Sequence, residues 1–180
     1  FIYVPAGVPL NIGVAPASSQ SAAEAIANFP VTFDNGKTYV VIAGGLVGGT
    51  PGFNLFVSDA GRERTEDPNL MDLMIFHGSP GAPNVDVTPV GADLPLVSDL
   101  AFGEFTPYVS LVPDTYLLDV SPAGAPNTIV GTWGGDFSGL GSPACAAAIR
   151  SSRSRISPSV GQARPALVST CKSICSPVAT

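Results

Sequence analysis

The sequence predicts an all-β protein of antiparallel, immunoglobulin-like β-sandwich repeats, the first of them incomplete. Three observations carry this. Apolar residues alternate with polar or small ones over short stretches, the period of a strand with one face buried. Twenty glycines and 18 prolines among 180 residues cut the chain into short elements and leave little room for long helices. A strand–turn–strand pattern also recurs after 106 to 108 residues.

From the start, Phe1–Val4 reads as the end of a strand stopped by Pro5-Ala6-Gly7. Val8, Leu10, Ile12 and Val14 then share one face of a strand over residues 8–15. Ser18–Ala27 is either a short helix or a loop. Phe29–Phe33 and Lys37–Ala43 read as two strands joined by an Asp34-Asn35-Gly36 hairpin turn, since Asn-Gly tolerates positive φ. Gly44–Gly52 is a glycine-rich loop, Phe53–Ser58 a strand and Asp59–Asn69 a polar linker. Met71–Phe76, Val85–Val90, Phe105–Val112, Thr115–Val120 and Thr128–Trp133 read as further strands, at the spacing of a sandwich or barrel.

The repeat gives the domain organisation. Phe1-Ile2-Tyr3-Val4-Pro5-Ala6-Gly7 is echoed by Val109-Ser110-Leu111-Val112-Pro113-Asp114-Thr115, and Val14-Ala15-Pro16-Ala17 by Val120-Ser121-Pro122-Ala123. Residues 1–69 are therefore read as the back half of a first copy and 70–136 as a second copy. The chain is expected to be a fragment of a longer protein. Residues 137–180 form an atypical basic tail, either disordered or translated out of frame.

Charge narrows the partners. Residues 1–136 hold all 14 acidic side chains against three basic ones, a balance of −11; residues 137–180 hold five basic and no acidic ones. An acidic body repels phosphate backbones, which argues against nucleic acid. No apolar run approaches the roughly 18 residues of a membrane-spanning helix.

One stretch carries a resemblance. Phe76-His77-Gly78-Ser79-Pro80-Gly81-Ala82-Pro83-Asn84-Val85-Asp86-Val87 is followed by Leu100-Ala101-Phe102-Gly103-Glu104-Phe105-Thr106-Pro107-Tyr108-Val109-Ser110-Leu111. These blocks, in this order, resemble a prokaryotic family called domain of unknown function 4397. Asp114 stands where the family commonly has Gly. The resemblance covers about Met71 to Trp133. It implies an exported, envelope-associated β-sandwich often found in tandem, and it supplies no activity.

Candidate chemistry is sparse. His77, the sole histidine, could join Ser79 and Asp86 in a hydrolytic triad, but no nucleophile elbow accompanies them. The plainer reading has His77 end a strand and bond a neighbouring loop. Asp86, between two valines, is expected to cap backbone amides of the 78–84 turn. His77 and Asp86 are the weak ligand-binding candidates.

Asp59, Glu63, Glu66, Asp67 and Asp72 could offer calcium ligands, but Arg62 and Arg64 offset their charge and a solvated linker is the simpler account. Gly44–Gly49 lacks the Lys-Ser/Thr of a phosphate loop. Cys145, Cys171 and Cys175 lack a fourth metal ligand nearby. Trp133, Tyr108, Tyr116 and Phe105 could stack on a sugar, although aromatics in strands generally build cores.

The sequence-based expectation is a secreted or cell-envelope module with a structural or adhesive, non-catalytic role. It has no catalytic, cofactor or metal residues and no cofactor. Its partners would be neighbouring repeats, a cell-surface protein or a glycan. The alternatives are a carbohydrate- or calcium-binding module and a hydrolase using His77.

Overall fold

The computed structural model describes residues 2–139 and 147–150. Their order is β1 (Pro9–Val14), a 3-10 turn (Ala22–Glu24), β2 (Ala27–Thr32), β3 (Thr38–Gly44), β4 (Asn54–Gly61), β5 (Met71–Phe76), β6 (Val85–Pro89), β7 (Val97–Leu100), β8 (Val109–Leu111), β9 (Thr115–Pro122), β10 (Gly131–Asp136) and β11 (Ala147–Arg150). The fold is all-β. Its sheets run β1-β2, β3-β4, β10-β9-β6-β7 and β11-β5-β8. Among the described residues the strands pair antiparallel, except β11 with β5.

The main core lies between the last two sheets. Met71, Leu73 and Ile75 of β5 face Val85, Val87, Leu100, Leu118 and Val120 of the four-stranded sheet, and Phe137 closes the cluster. Every second residue of β5, β6 and β9 is apolar and points the same way, so burying one face of each strand buries them all.

β5 is unusual in being buried along its whole length. Its other face carries Asp72, Met74 and Phe76. Phe76 packs on Phe105, at 4.6 Å between ring centroids, and on Phe56 of β4, at 5.3 Å. Asp72 accepts hydrogen bonds from Arg62 Nη1 (3.0 Å) and Ser110 Oγ (2.7 Å). The β3–β4 hairpin thus lies on the outer face of β5.

Gly103 makes that contact possible. It sits at φ +86°, and a Cβ there would overlap the Phe56 ring. Gly103→Ala is expected to cost about 1–3 kcal/mol, from left-handed strain plus the clash. Gly81→Ala is the control, because Gly81 also has positive φ (+80°) but nothing within 4 Å of its would-be Cβ. Thermal melts should therefore show the larger drop for Gly103→Ala.

Three expectations need correction, and one open alternative is decided. Residues 2–4 form no strand, and they have no hydrogen-bonded partner strand among the described residues. Of the two readings of Ser18–Ala27, the loop is the one that forms, with only a short turn at Ala22–Glu24 before β2 begins. The Asp34-Asn35-Gly36 turn does not close a hairpin, since β2 pairs with β1 and β3 with β4, so the turn carries the chain from one sheet to another. Arg62, placed in a solvated linker, is held instead by Asp72 and by Tyr108, whose hydroxyl accepts its amide at 3.1 Å.

β7, too, was not anticipated from the sequence. Of the 137–180 tail, only residues 137–139 and β11 fall within the described residues, and the disorder and frame readings otherwise lie outside them.

Candidate functional site

In the signature stretch, His77 to Asn84 form the turn between β5 and β6, and Val85–Val87 open β6. His77 continues β5: its amide donates to Glu104 O (3.1 Å) and its carbonyl accepts from Gly103 N (2.8 Å). The imidazole is only 2% exposed. Its Nδ1 accepts the Ser79 amide at 3.4 Å, and its Nε2 lies 3.1 Å from Pro83 O. A carbonyl only accepts, so the hydrogen bonds place the proton on Nε2. The ring therefore ties down both ends of the 79–83 segment. Inside that segment Ala82 N donates to Ser79 O, with Pro80 second and Gly81, at φ +80°, third. This is the arrangement that favours Pro-Gly in a type II turn.

Asp86 faces away from the core between Val85 and Val87, yet it is only 8% exposed. Its Oδ1 accepts Asp99 N at 2.8 Å and its Oδ2 accepts Gly124 N at 3.0 Å. Asp86 thus caps amides on either side of β6, not those of the 78–84 turn as expected. The reason is position: β6 lies between β7 and β9, so the carboxylate reaches the loops of both neighbours. The β6–β7 register slips here, with Val85 opposite Leu100 but Val87 opposite Val97. Asp99 occupies the bulge at φ +54°, and Asn84 Nδ2 donates to its carboxylate at 2.9 Å.

A cleft of about 230 Å³ opens beside the signature turn. His77, Pro83, Val120, Pro122, Val130 and Trp133 are among the residues that line it. Its walls are mainly apolar, and the imidazole nitrogens are already engaged with backbone.

The remaining candidates are not brought together. Ser79 offers His77 its amide, and the Asp86 carboxylate is held by amides elsewhere, so no hydrogen-bond relay links the three side chains. The acidic stretch disperses: Asp59 pairs with Lys37 at 2.7 Å, and Glu66 and Asp72 with Arg62 at 3.3 and 3.0 Å. Among the described residues no three His, Cys, Asp or Glu side chains are grouped to hold a metal ion.

The aromatics also divide. Phe105 packs on Phe76, Tyr108 lies under the Arg62 guanidinium (4.8 Å to the ring centroid), Tyr116 donates to Val112 O, and Trp133 packs against the core. The three cysteines lie outside the described residues.

Two exposed carboxyls are shifted. The hydrogen bond from Lys37 holds Asp59 below the usual carboxylate range and raises the Lys37 ammonium in turn. Bonds from the Ser138 hydroxyl and amide, with help from Thr115, lower Asp136. Both carboxyls are exposed and do not line the signature cleft.

Sequence reasoning placed His77 and Asp86 but missed Pro83, Asp99 and Gly124, their partners. A backbone carbonyl or amide carries no side-chain signal, so spacing alone could not have found them.

Residues 71–133 match the family model described as Domain of unknown function (DUF4397). The match is a single copy, covers about a third of the chain, and contains the buried His77, Ser79 and Asp86 of the signature. No curated protein and no solved structure matches the chain. No helix of the described residues is long and apolar enough to cross a membrane.

Proposed function

We propose that the chain is a non-catalytic module of an exported, envelope-associated protein. Residues 70–136 act as one immunoglobulin-like β-sandwich and residues 1–69 as the back half of a preceding one. Its role is structural or adhesive: the packed sheets hold the 44–52 and 77–84 loops rigidly toward a neighbouring repeat, a cell-surface protein or a glycan.

The observation that carries this reading is how the DUF4397 signature uses its polar side chains. His77 and Asp86 both engage backbone atoms of loops, with His77 fastening the 79–83 turn and Asp86 pinning Asp99 and Gly124. A catalytic group needs a free lone pair or proton aimed at substrate; a fastener needs the opposite. The shared core between the two sheets supports the sandwich assignment, and the family resemblance supports an envelope location.

The test is location and access in cells making the full-length parent protein. Digestion of this region by protease added to intact cells, with recovery in the envelope fraction or medium, is the expected result. Recovery with cytoplasmic proteins, protected until lysis, would overturn the proposal.

A further inference from the structure

The hairpin β1–β2 and the hairpin β9–β10 have the same internal plan. In the first, Pro9 pairs with Thr32 and Val14 with Ala27; in the second, Thr115 pairs with Asp136 and Val120 with Gly131. Shifting the outgoing strand by 106 residues and the returning strand by 104 therefore superimposes the two registers, the first loop being two residues longer.

The loops agree as well. Ser19 N donates to Pro16 O as Ala125 N does to Pro122 O, and Ile26 N donates to Val14 O as Val130 N does to Val120 O. After each hairpin comes a buried phenylalanine, Phe33 in one and Phe137 in the other.

The two hairpins differ in what covers them. Leu118 and Val120 are 4% and 9% exposed beneath β5. Their counterparts Ile12 and Val14, like Leu10, are only half-buried. In the second unit β5 pairs with β8 on one side and with β11, in parallel, on the other. In the first unit Ile2 and Tyr3 hold the places of Ser110 and Leu111 of β8 by the sequence echo, yet they are 87% and 98% exposed. β3 follows Phe33 as β11 follows Phe137, and among the described residues its only partner is β4. A groove of about 740 Å³ lies beside residues 2–4 and β3, lined by Leu10, Ile12, Phe33, Tyr3, Tyr39 and Val41.

We infer that this groove is the seat of one more β-strand of the Met71–Phe76 type, supplied in cis as the front half of the same module. It would run antiparallel to residues 2–4 and parallel to β3, with alternate apolar residues on Leu10, Ile12 and Phe33. The inference rests on reading residues 1–69 as a back half.

The chain contains the reagent for its own test. Joining a second copy of Leu70–Tyr108 directly ahead of Phe1 would rebuild the order found in the second unit. The grafted full chain is expected to melt at least about 5 °C higher than the original. Amide exchange in β1 and β3 should slow by roughly tenfold or more. A graft carrying L73D and I75D should give neither effect.

Three results would overturn the inference: equal gains from both grafts, no change in β1 and β3 exchange with either, or a stable dimer of the ungrafted chain in which β1 and β3 are already protected. The last would assign the groove to a second copy. These readouts concern folding of residues 2–44, so they can fail or succeed independently of where in the cell the module works.

Discussion

Phe76→Ala should be the most damaging single substitution in this chain, lowering stability by about 3–5 kcal/mol. The side chain is fully buried. Its removal withdraws one ring from contact with both Phe56 and Phe105, and a site walled by β-strands collapses poorly around the void. Phe76→Leu keeps most of the volume and should cost about 1–2 kcal/mol.

Urea unfolding would measure both values, and a double-mutant cycle with Phe56→Ala would isolate the ring–ring contact, expected at about 0.5–1.5 kcal/mol. A loss under about 1 kcal/mol for Phe76→Ala would mean that the β3–β4 hairpin does not rest on β5 in solution.

Phe76 also shows where the sequence was informative. A short, almost continuous apolar run predicted β5, and period-two alternation predicted β1 and β6 to within a few residues, because a strand with one buried face leaves that trace whereas one buried on both faces does not. It failed where pairing decides the outcome. Phe1–Val4 has strand-like residues, but a strand needs a partner for its backbone groups, and residues 2–4 have none among those described. Asp34-Asn35-Gly36 has the chemistry of a tight turn, yet turn chemistry does not say which strands will pair. β2 was already committed to β1 through a six-pair register. Val97–Leu100 is too short and too polar to alternate visibly; it becomes a strand because β6 offers it an edge.

The candidate site was legible in a similar, partial way. The signature residues identified the stretch that the DUF4397 model matches, and His77 is where a strand-ending, loop-bonding residue should be. The direction of Asp86 was not legible. From sequence, the nearest amides are those of its own turn. In the folded chain, β6 is an inner strand, so the closest unsatisfied donors belong to residues 13 and 38 positions away. Arg62 was misplaced for a related reason: its partner Asp72 is only ten residues on, but it is buried because β5 is covered on both faces.

Asp86→Ala should be the second most costly change, at about 2–4 kcal/mol. Two charge-assisted hydrogen bonds disappear together, each worth about 1.5–3 kcal/mol before relaxation, and two amides lose their acceptor. Asp86→Asn is expected to recover little, because one carboxylate oxygen becomes an NH2 facing a backbone N–H.

The effect should also be local in a recognisable way. Asp99 is held at φ +54° in the β6–β7 bulge, a conformation that a non-glycine residue adopts only at a cost of about 1 kcal/mol or more. With the Asp86 carboxylate gone, nothing offsets that strain at the Asp99 amide. Asp99→Gly should therefore restore part of the lost stability in the Asp86→Ala background, even though it also removes the bond from Asn84.

Hydrogen exchange gives the sharper readout: the amides of Asp99 and Gly124 should lose protection ahead of the β6–β9 ladder between them. If Asp86→Ala instead loosens the whole four-stranded sheet uniformly, or leaves both amides protected, the carboxylate is not the pin that joins these two loops.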